Sequence, residues 1–185
     1  PESLAVHTRL AHQTHVVLRL GQYMLASGAS AFRVQDGMER LARAVGIERL
    51  HVQMTYTTIT ATAWANGTFR TEVVEQRNLG VNADRIDRFN AYVQSLPASL
   101  LVEDAIRDIE KIHRRPVLYS IPVSSVASGL ACAGFAFLNK GGLVECLAVL
   151  VAALVGQAVR RLLLKRHVNH FMTWMVCGFA ASGLY

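Results

Sequence analysis

The chain has 185 residues, 52% of them apolar, and a formal net charge of +6 at pH 7. The charge is unevenly placed: residues 1–115 hold 14 Lys/Arg against 12 Asp/Glu, while residues 116–185 hold 5 Lys/Arg and a single acid, Glu145. The surplus of cations therefore belongs mostly to the flanks of apolar runs, which excludes a nucleic-acid partner of the kind that needs a basic face on a soluble domain.

In chain order, Val6–Ser27 reads as a helix with Leu10, Val17, Leu20 and Met24 on one face and Gly28 as its stop. Ser30 is placed to cap a second helix, in which Val34, Met38, Leu41 and Val45 recur at helical spacing before Gly46 ends it. The period then changes to two. Leu50, Val52, Met54 and Tyr56 alternate with His51, Gln53 and Thr55, as in a strand. Thr57–Ala65 and Thr68–Val74 flank Asn66-Gly67, a dipeptide suited to a type I′ hairpin because both residues accept positive φ. Asn82 is placed to cap a third helix with Ile86, Phe89, Val93 and Leu96 inward, broken at Pro97. A fourth runs from about Ser99 to His113 with Leu101, Ala105, Ile109 and Ile112 inward. The expected fold is α+β, αα-βββ-αα with an antiparallel sheet, followed by all-α transmembrane helices.

The boundary falls between 1–115 and 116–185, at Pro116. Val117–Leu138 is a run of 22 uncharged residues, Gly141–Leu164 is a second apolar run, and Phe171–Tyr185 a third. Runs of about 18 or more apolar residues are membrane-span candidates, so spans across a lipid bilayer are expected at about 117–138, 142–164 and 171–185. The last is short of the roughly 20 residues a crossing needs, and we expect it to continue beyond Tyr185. Lys111, Arg114 and Arg115 precede the first span, whereas Arg160, Arg161, Lys165 and Arg166, with His167 and His170, follow the second. The positive-inside rule then places residues 1–115 in the cytoplasm of a multi-pass protein of the inner (plasma) membrane.

Cys132, Cys146 and Cys177 lie in apolar runs with no C-x-x-C pair, so they read as packing residues rather than disulfides or zinc ligands. His12/His15 and His167/His170 share helix faces but lack a third ligand, so no metal is expected. There is no P-loop, G-x-S-x-G or H-E-x-x-H, and neither an enzyme nor a cofactor is expected.

Glu145 is the lone acid of the apolar region. It is a candidate for proton coupling or for a substrate ammonium; alternatively it reaches water near a helix end. Gln157, deep in the second run, either contacts substrate or bridges helices. Ser124, Ser128 and Cys132 form one small-residue stripe and Ser125, Gly129 and Ala133 another, suited to close helix packing or to a polar path. Thr58, Thr60 and Thr62 share one strand face, as a ligand-binding hydroxyl ladder or a plain β-forming surface. Arg33 is a candidate partner for a carboxylate or a lipid phosphate, or simply a solvated helix residue.

The order of several segments carries a resemblance. Leu25-Ala26-Ser27-Gly28-Ala29-Ser30-Ala31-Phe32-Arg33-Val34 is followed by Ala42 and Gly46, then by Thr57, Thr58, Thr60 and Thr62, and finally by Gly141-Gly142. In this sequence of motifs, over nearly its whole length, the chain resembles the threonine/serine exporter family. The resemblance implies export of a small polar metabolite across the inner membrane: threonine and serine, or dicarboxylates such as succinate in split members that act with a second membrane subunit. With too few spans for the long form, the chain resembles the N-terminal portion of either type. A secondary, ion-coupled exporter subunit is the leading expectation. The alternative is a membrane-anchored regulatory or scaffolding module whose cytoplasmic domain binds a ligand or partner.

Overall fold

The computed structural model describes residues 2–76, 80–116, 118–166 and 170–182. They form two compact units, Pro1–Pro116 and Val117–Tyr185.

The first unit contains α1 (Glu2–Ala26), α2 (Ala31–Ala44), β1 (Arg49–Met54), β2 (Thr58–Ala65), β3 (Thr68–Glu75), α3 (Ala83–Gln94) and α4 (Val102–His113). The strands form an antiparallel sheet in the order β1-β2-β3. Asn66 (φ 50°) and Gly67 (φ 72°) turn the β2–β3 hairpin, with Ala65 paired to Thr68. Two positive φ values in a two-residue loop are what a type I′ turn requires.

Glycine ends both α1 and α2 by the same device. Gly28 (φ 86°) follows α1, with Gly28 N–H bonded to Leu25 O and Ala29 N–H to Met24 O. Gly46 (φ 90°) follows α2, with Gly46 N–H bonded to Arg43 O and Ile47 N–H to Ala42 O. These crossed bonds satisfy carbonyls that the helix leaves orphaned, and the left-handed residue costs least as glycine.

The core is built on helical stripes against one sheet face. Leu10, Val17, Leu20 and Met24 of α1, Val34, Met38 and Leu41 of α2, and Phe89 of α3 are fully buried, as are Ile59, Ala61 and Ala63 of β2. Each large apolar side chain so buried contributes about 1.5–3 kcal/mol. Alanine at alternate positions of β2 leaves room for a helix to lie close on the sheet.

Local details differ from the sequence reading. α1 starts at Glu2 rather than Val6, and β1 stops at Met54, leaving Tyr56 exposed in the β1–β2 turn. Asn82 caps α3, accepting from Arg85 N–H, but the Ser30 hydroxyl makes no capping bond to α2. Leu101 is not inward: it is the extended N-cap of α4 and is exposed, while Ala105 and Ile109 are buried. A residue one step outside a helix leaves its periodic stripe, so spacing alone misplaces it.

The second unit contains α5 (Ile121–Leu138), α6 (Leu143–Lys165) and α7 (His170–Ser182). α5 is shorter than the apolar run that contains it. Pro122 sits in its first turn, where a missing N–H costs nothing, and Leu118–Ser120 stay outside the helix. Among the described residues one helix, Leu143–Leu163, is long and apolar enough to cross a membrane, and Pro122–Leu138 is a shorter apolar helix. Val117, His167 and 183–185, which the sequence reading places in or beside spans, lie outside the described residues.

α5 ends in much the same way as the first two helices. Lys140 (φ 67°) is left-handed, its N–H bonded to Phe137 O, and Gly141 N–H bonds Ala136 O. A Cβ on Gly141 would lie 2.9 Å from Ala136 O, which explains glycine there.

Candidate functional site

Two of the sequence candidates meet. Gln157 on α6 donates through Nε2 to Ser128 Oγ on α5 at 3.1 Å, both residues half-buried. Of the two small-residue stripes, one makes the packing seam. Gly129 is buried, and a Cβ there would come within 3.0 Å of Leu150 Cδ1 and 3.4 Å of Leu154. Ser124 and Cys132, from the other stripe, are exposed. Ser128 therefore stands at the border of the α5–α6 seam, where its hydroxyl reaches Gln157 across the pair.

Glu145 lies apart from that pair, in the first turn of α6. It is exposed, and its carboxylate curls back over Gly142, where a Cβ would meet Oε2 at 2.6 Å. In the first turn of a helix, a carboxylate is favoured by the positive end of the helix dipole and by the orphan N–H groups there. This position supplies a structural reason for the acid that composition alone does not. Within the same unit, Arg160 of α6 stacks over Trp174 of α7 at 5.0 Å.

In the first unit Thr58, Thr60 and Thr62 share the sheet face opposite the core and are half-buried. The register sets His51 and Thr71 beside Thr62, and Gln53 and Val73 beside Thr60. The Thr62 and Thr71 hydroxyls bond each other at 2.9 Å, so part of this ladder is satisfied within the sheet. Arg49 stacks over Trp64 at 4.2 Å on the same face. Arg33 is exposed on α2, beside a depression of about 200 Å³ that it shares with Phe32, Asp36 and Asn90, none of them from the Thr face.

Sequence reasoning missed a polar network joining α1 to α4. Tyr23 Oη donates to Glu110 Oε1 at 2.7 Å and accepts from Arg19 Nε at 3.1 Å. Arg19 Nη2 reaches Glu110 Oε1 at 2.8 Å, and Arg114 Nε reaches Oε2 at 3.1 Å. The Tyr23 hydrogen bond, helped by Arg114 and Arg19, holds the Glu110 carboxyl below its ordinary value against the opposing effect of burial. Burial pushes the Tyr23 hydroxyl up, and its bond to Glu110 adds to that. His113 stacks on the Tyr23 ring at 3.7 Å with the planes 9° apart, and its buried Nδ1 has no hydrogen-bond partner. Burial, with Arg85 next, lowers the His113 pKa. The sequence signal for this network is the i, i+4 spacing of Arg19 with Tyr23 and of Glu110 with Arg114, which says nothing of their meeting.

Like His113 Nδ1, the buried Tyr92 hydroxyl on α3 has no hydrogen-bond partner, and its pKa is pushed up to about 12 by burial, with Asp108 and Asp104 adding to it.

The family model of the threonine/serine exporters, ThrE, matches residues 15–185. The "Probable succinate transporter subunit YjjP" of Escherichia coli is 24% identical over 174 residues, covering 91% of this chain and 66% of that protein. The protein of the same name from Klebsiella aerogenes is 23% identical, with 91% and 65% covered. The "Threonine/serine exporter" of Corynebacterium glutamicum is 23% identical over 193 residues, covering 98% of this chain and 38% of that protein. The chain thus spans just under two thirds of the length of the first two relatives and well under half of the third. No solved structure matches it. The family match leaves out the first half of α1 and takes in the rest of both units, so the chain belongs to the threonine/serine exporter family.

Proposed function

We propose that the chain is part of an integral-membrane secondary exporter of a small polar metabolite, with unit 2 in the bilayer and unit 1 in the cytoplasm. The observation that carries this reading is the match across both units to a family of exporters. Unit 2 supports it physically. Phe135, Phe137, Leu143 and Phe179 are strongly exposed, a surface that suits lipid better than water. The clusters Lys111, Arg114, Arg115 and Arg160, Arg161, Lys165, Arg166 favour the cytoplasmic side for both their flanks.

In this reading the Gln157–Ser128 pair is a bridge that a hydroxyl-bearing substrate competes for, and Glu145 is the candidate proton site. Before Arg160, the described parts of α5 and α6 offer no cation to a dicarboxylate, which favours serine or threonine. The names of the Escherichia coli and Klebsiella relatives, each a succinate transporter subunit, favour succinate instead, and in that case we expect a second membrane subunit to complete the path. Export of serine, threonine and succinate from cells with and without the full-length gene product decides between them. Export of none would sink the reading. Glu145→Gln should abolish the pH dependence of export; if that dependence persists, Glu145 is a helix-end carboxylate only.

A further inference from the structure

Several of the most exposed large apolar side chains of unit 1 gather at one end. Val81, Phe32 and Tyr56 are 89%, 81% and 80% exposed. They lie where α1 stops and α2 starts: Gly80 N–H bonds Ala26 O, Asn82 N–H bonds Ser27 O, and Phe32 is in the first turn of α2. Tyr56 and Val81 border a depression of about 600 Å³ lined also by Leu25, Ala29, Ala31 and Met54, which is mainly apolar.

α4 ends near the same place, because His113 stacks on Tyr23, one turn before the end of α1. The chain leaves unit 1 from here. Lys111 and Arg115 are exposed beside this exit, and Arg33 is exposed next to Phe32 in the first turn of α2; none of the three forms a salt bridge among the described residues, unlike Arg19, Arg40, Arg88, Arg107 and Arg114. Only a short stretch, residues 116–120, then precedes α5, a reach of at most about 18 Å for an extended chain.

We propose that this end of unit 1 rests on the anionic surface of the bilayer that holds unit 2. Phe32, Tyr56 and Val81 enter the headgroup layer, and Arg33, Lys111 and Arg115 meet lipid phosphates. Apolar side chains beside cations free of salt bridges are the composition of an interfacial lipid contact, and each basic residue near an anionic leaflet adds to the attraction. A protein partner would be served by the apolar depression, but it gives no reason for unpaired cations both beside Phe32 and at the point of chain exit. The inference rests on the membrane reading of unit 2.

The test uses the full chain reconstituted in bilayers of phosphatidylcholine and phosphatidylglycerol with brominated acyl chains. Tyr56→Trp and Val81→Trp are made in a Trp64→Phe, Trp174→Phe background, and native Trp174 is followed separately in a Trp64→Phe chain. The expected result is about twofold quenching at positions 56 and 81, lost in pure phosphatidylcholine and in the triple variant Arg33→Gln, Lys111→Gln, Arg115→Gln, as electrostatic contact requires. Quenching that survives both changes overturns the electrostatic contact. Quenching of Trp174 without quenching at 56 and 81 overturns the docking and leaves the membrane reading standing. Absence of quenching at Trp174 as well overturns both.

Discussion

Gln157 Nε2 on α6 donates to Ser128 Oγ on α5 at 3.1 Å, a side-chain bond that links two predominantly apolar helices. In membranes such bonds average about 0.6 kcal/mol and reach about 1.7. A double-mutant cycle of Ser128→Ala and Gln157→Ala, read by reversible unfolding in lipid, should return a coupling in that range. A coupling of zero would remove the bridge. Export adds a second reading: a bridge alone predicts similar losses from the two single variants, whereas a substrate contact predicts a larger loss from Gln157→Ala.

Gly129 and Gly134 lie on the same helix in opposite circumstances. A Cβ at Gly129 meets Leu150 and Leu154, whereas one at Gly134 meets nothing within 4 Å. Gly129→Val should therefore cost about 1–3 kcal/mol through overpacking. Gly134→Ala should be neutral or stabilising by up to about 1 kcal/mol, because alanine is the better helix former. Thermal denaturation of the two variants in detergent checks the order, and equal effects would contradict the α5–α6 seam.

Gly28 and Gly46 are both left-handed, but only the first is also crowded. A Cβ at Gly28 would stand 2.8 Å from the backbone oxygen of Gly80, while at Gly46 the nearest atom is Gln13 Nε2 at 3.4 Å. Gly46→Ala should cost about 1–2 kcal/mol for the left-handed conformation alone. Gly28→Ala should cost more, since backbone must move. Chemical denaturation that ranks Gly46→Ala as the worse variant would contradict this geometry.

The Tyr23 network predicts two pH windows. Glu110 has a lowered folded pKa, so its stabilisation is present above the ordinary carboxylate value and is lost as pH falls through the folded value. His113 also has a lowered folded pKa, but it is a base. Its proton is disfavoured in the folded state, so stability falls as pH drops from the ordinary histidine value through the folded one. His113→Phe keeps a ring against Tyr23 and should flatten the upper window only. Tyr23→Phe should weaken the acid-side window and lower stability by about 1.5–3 kcal/mol at neutral pH, the range for hydrogen bonds to charged groups. Stability measured from acid to mildly alkaline pH tests both, and an unchanged profile in His113→Phe would count against the histidine assignment.

Much of unit 1 was legible in the chain because its signals are local. The inward stripe Leu10, Val17, Leu20, Met24, the stops at Gly28 and Gly46, and the Asn66-Gly67 hairpin each follow from a period or a φ requirement spanning a few residues. The order of motifs also sufficed to point to the family that the match over residues 15–185 then showed. Helix ends were less legible: Leu101 lies one position outside its helix and so outside its stripe.

The kind and order of elements follow from the chain alone, because backbone preference and hydrophobic period act within a turn or a strand. Which residues meet is a matter of packing. Packing chose the Gly129 stripe over the Ser124–Cys132 stripe for the α5–α6 seam, joined Gln157 to Ser128, and brought Tyr23 to Glu110 across 87 positions of chain. Those pairings depend on how helices cross and how closely they approach, and a one-dimensional pattern of polar and apolar residues does not encode a crossing.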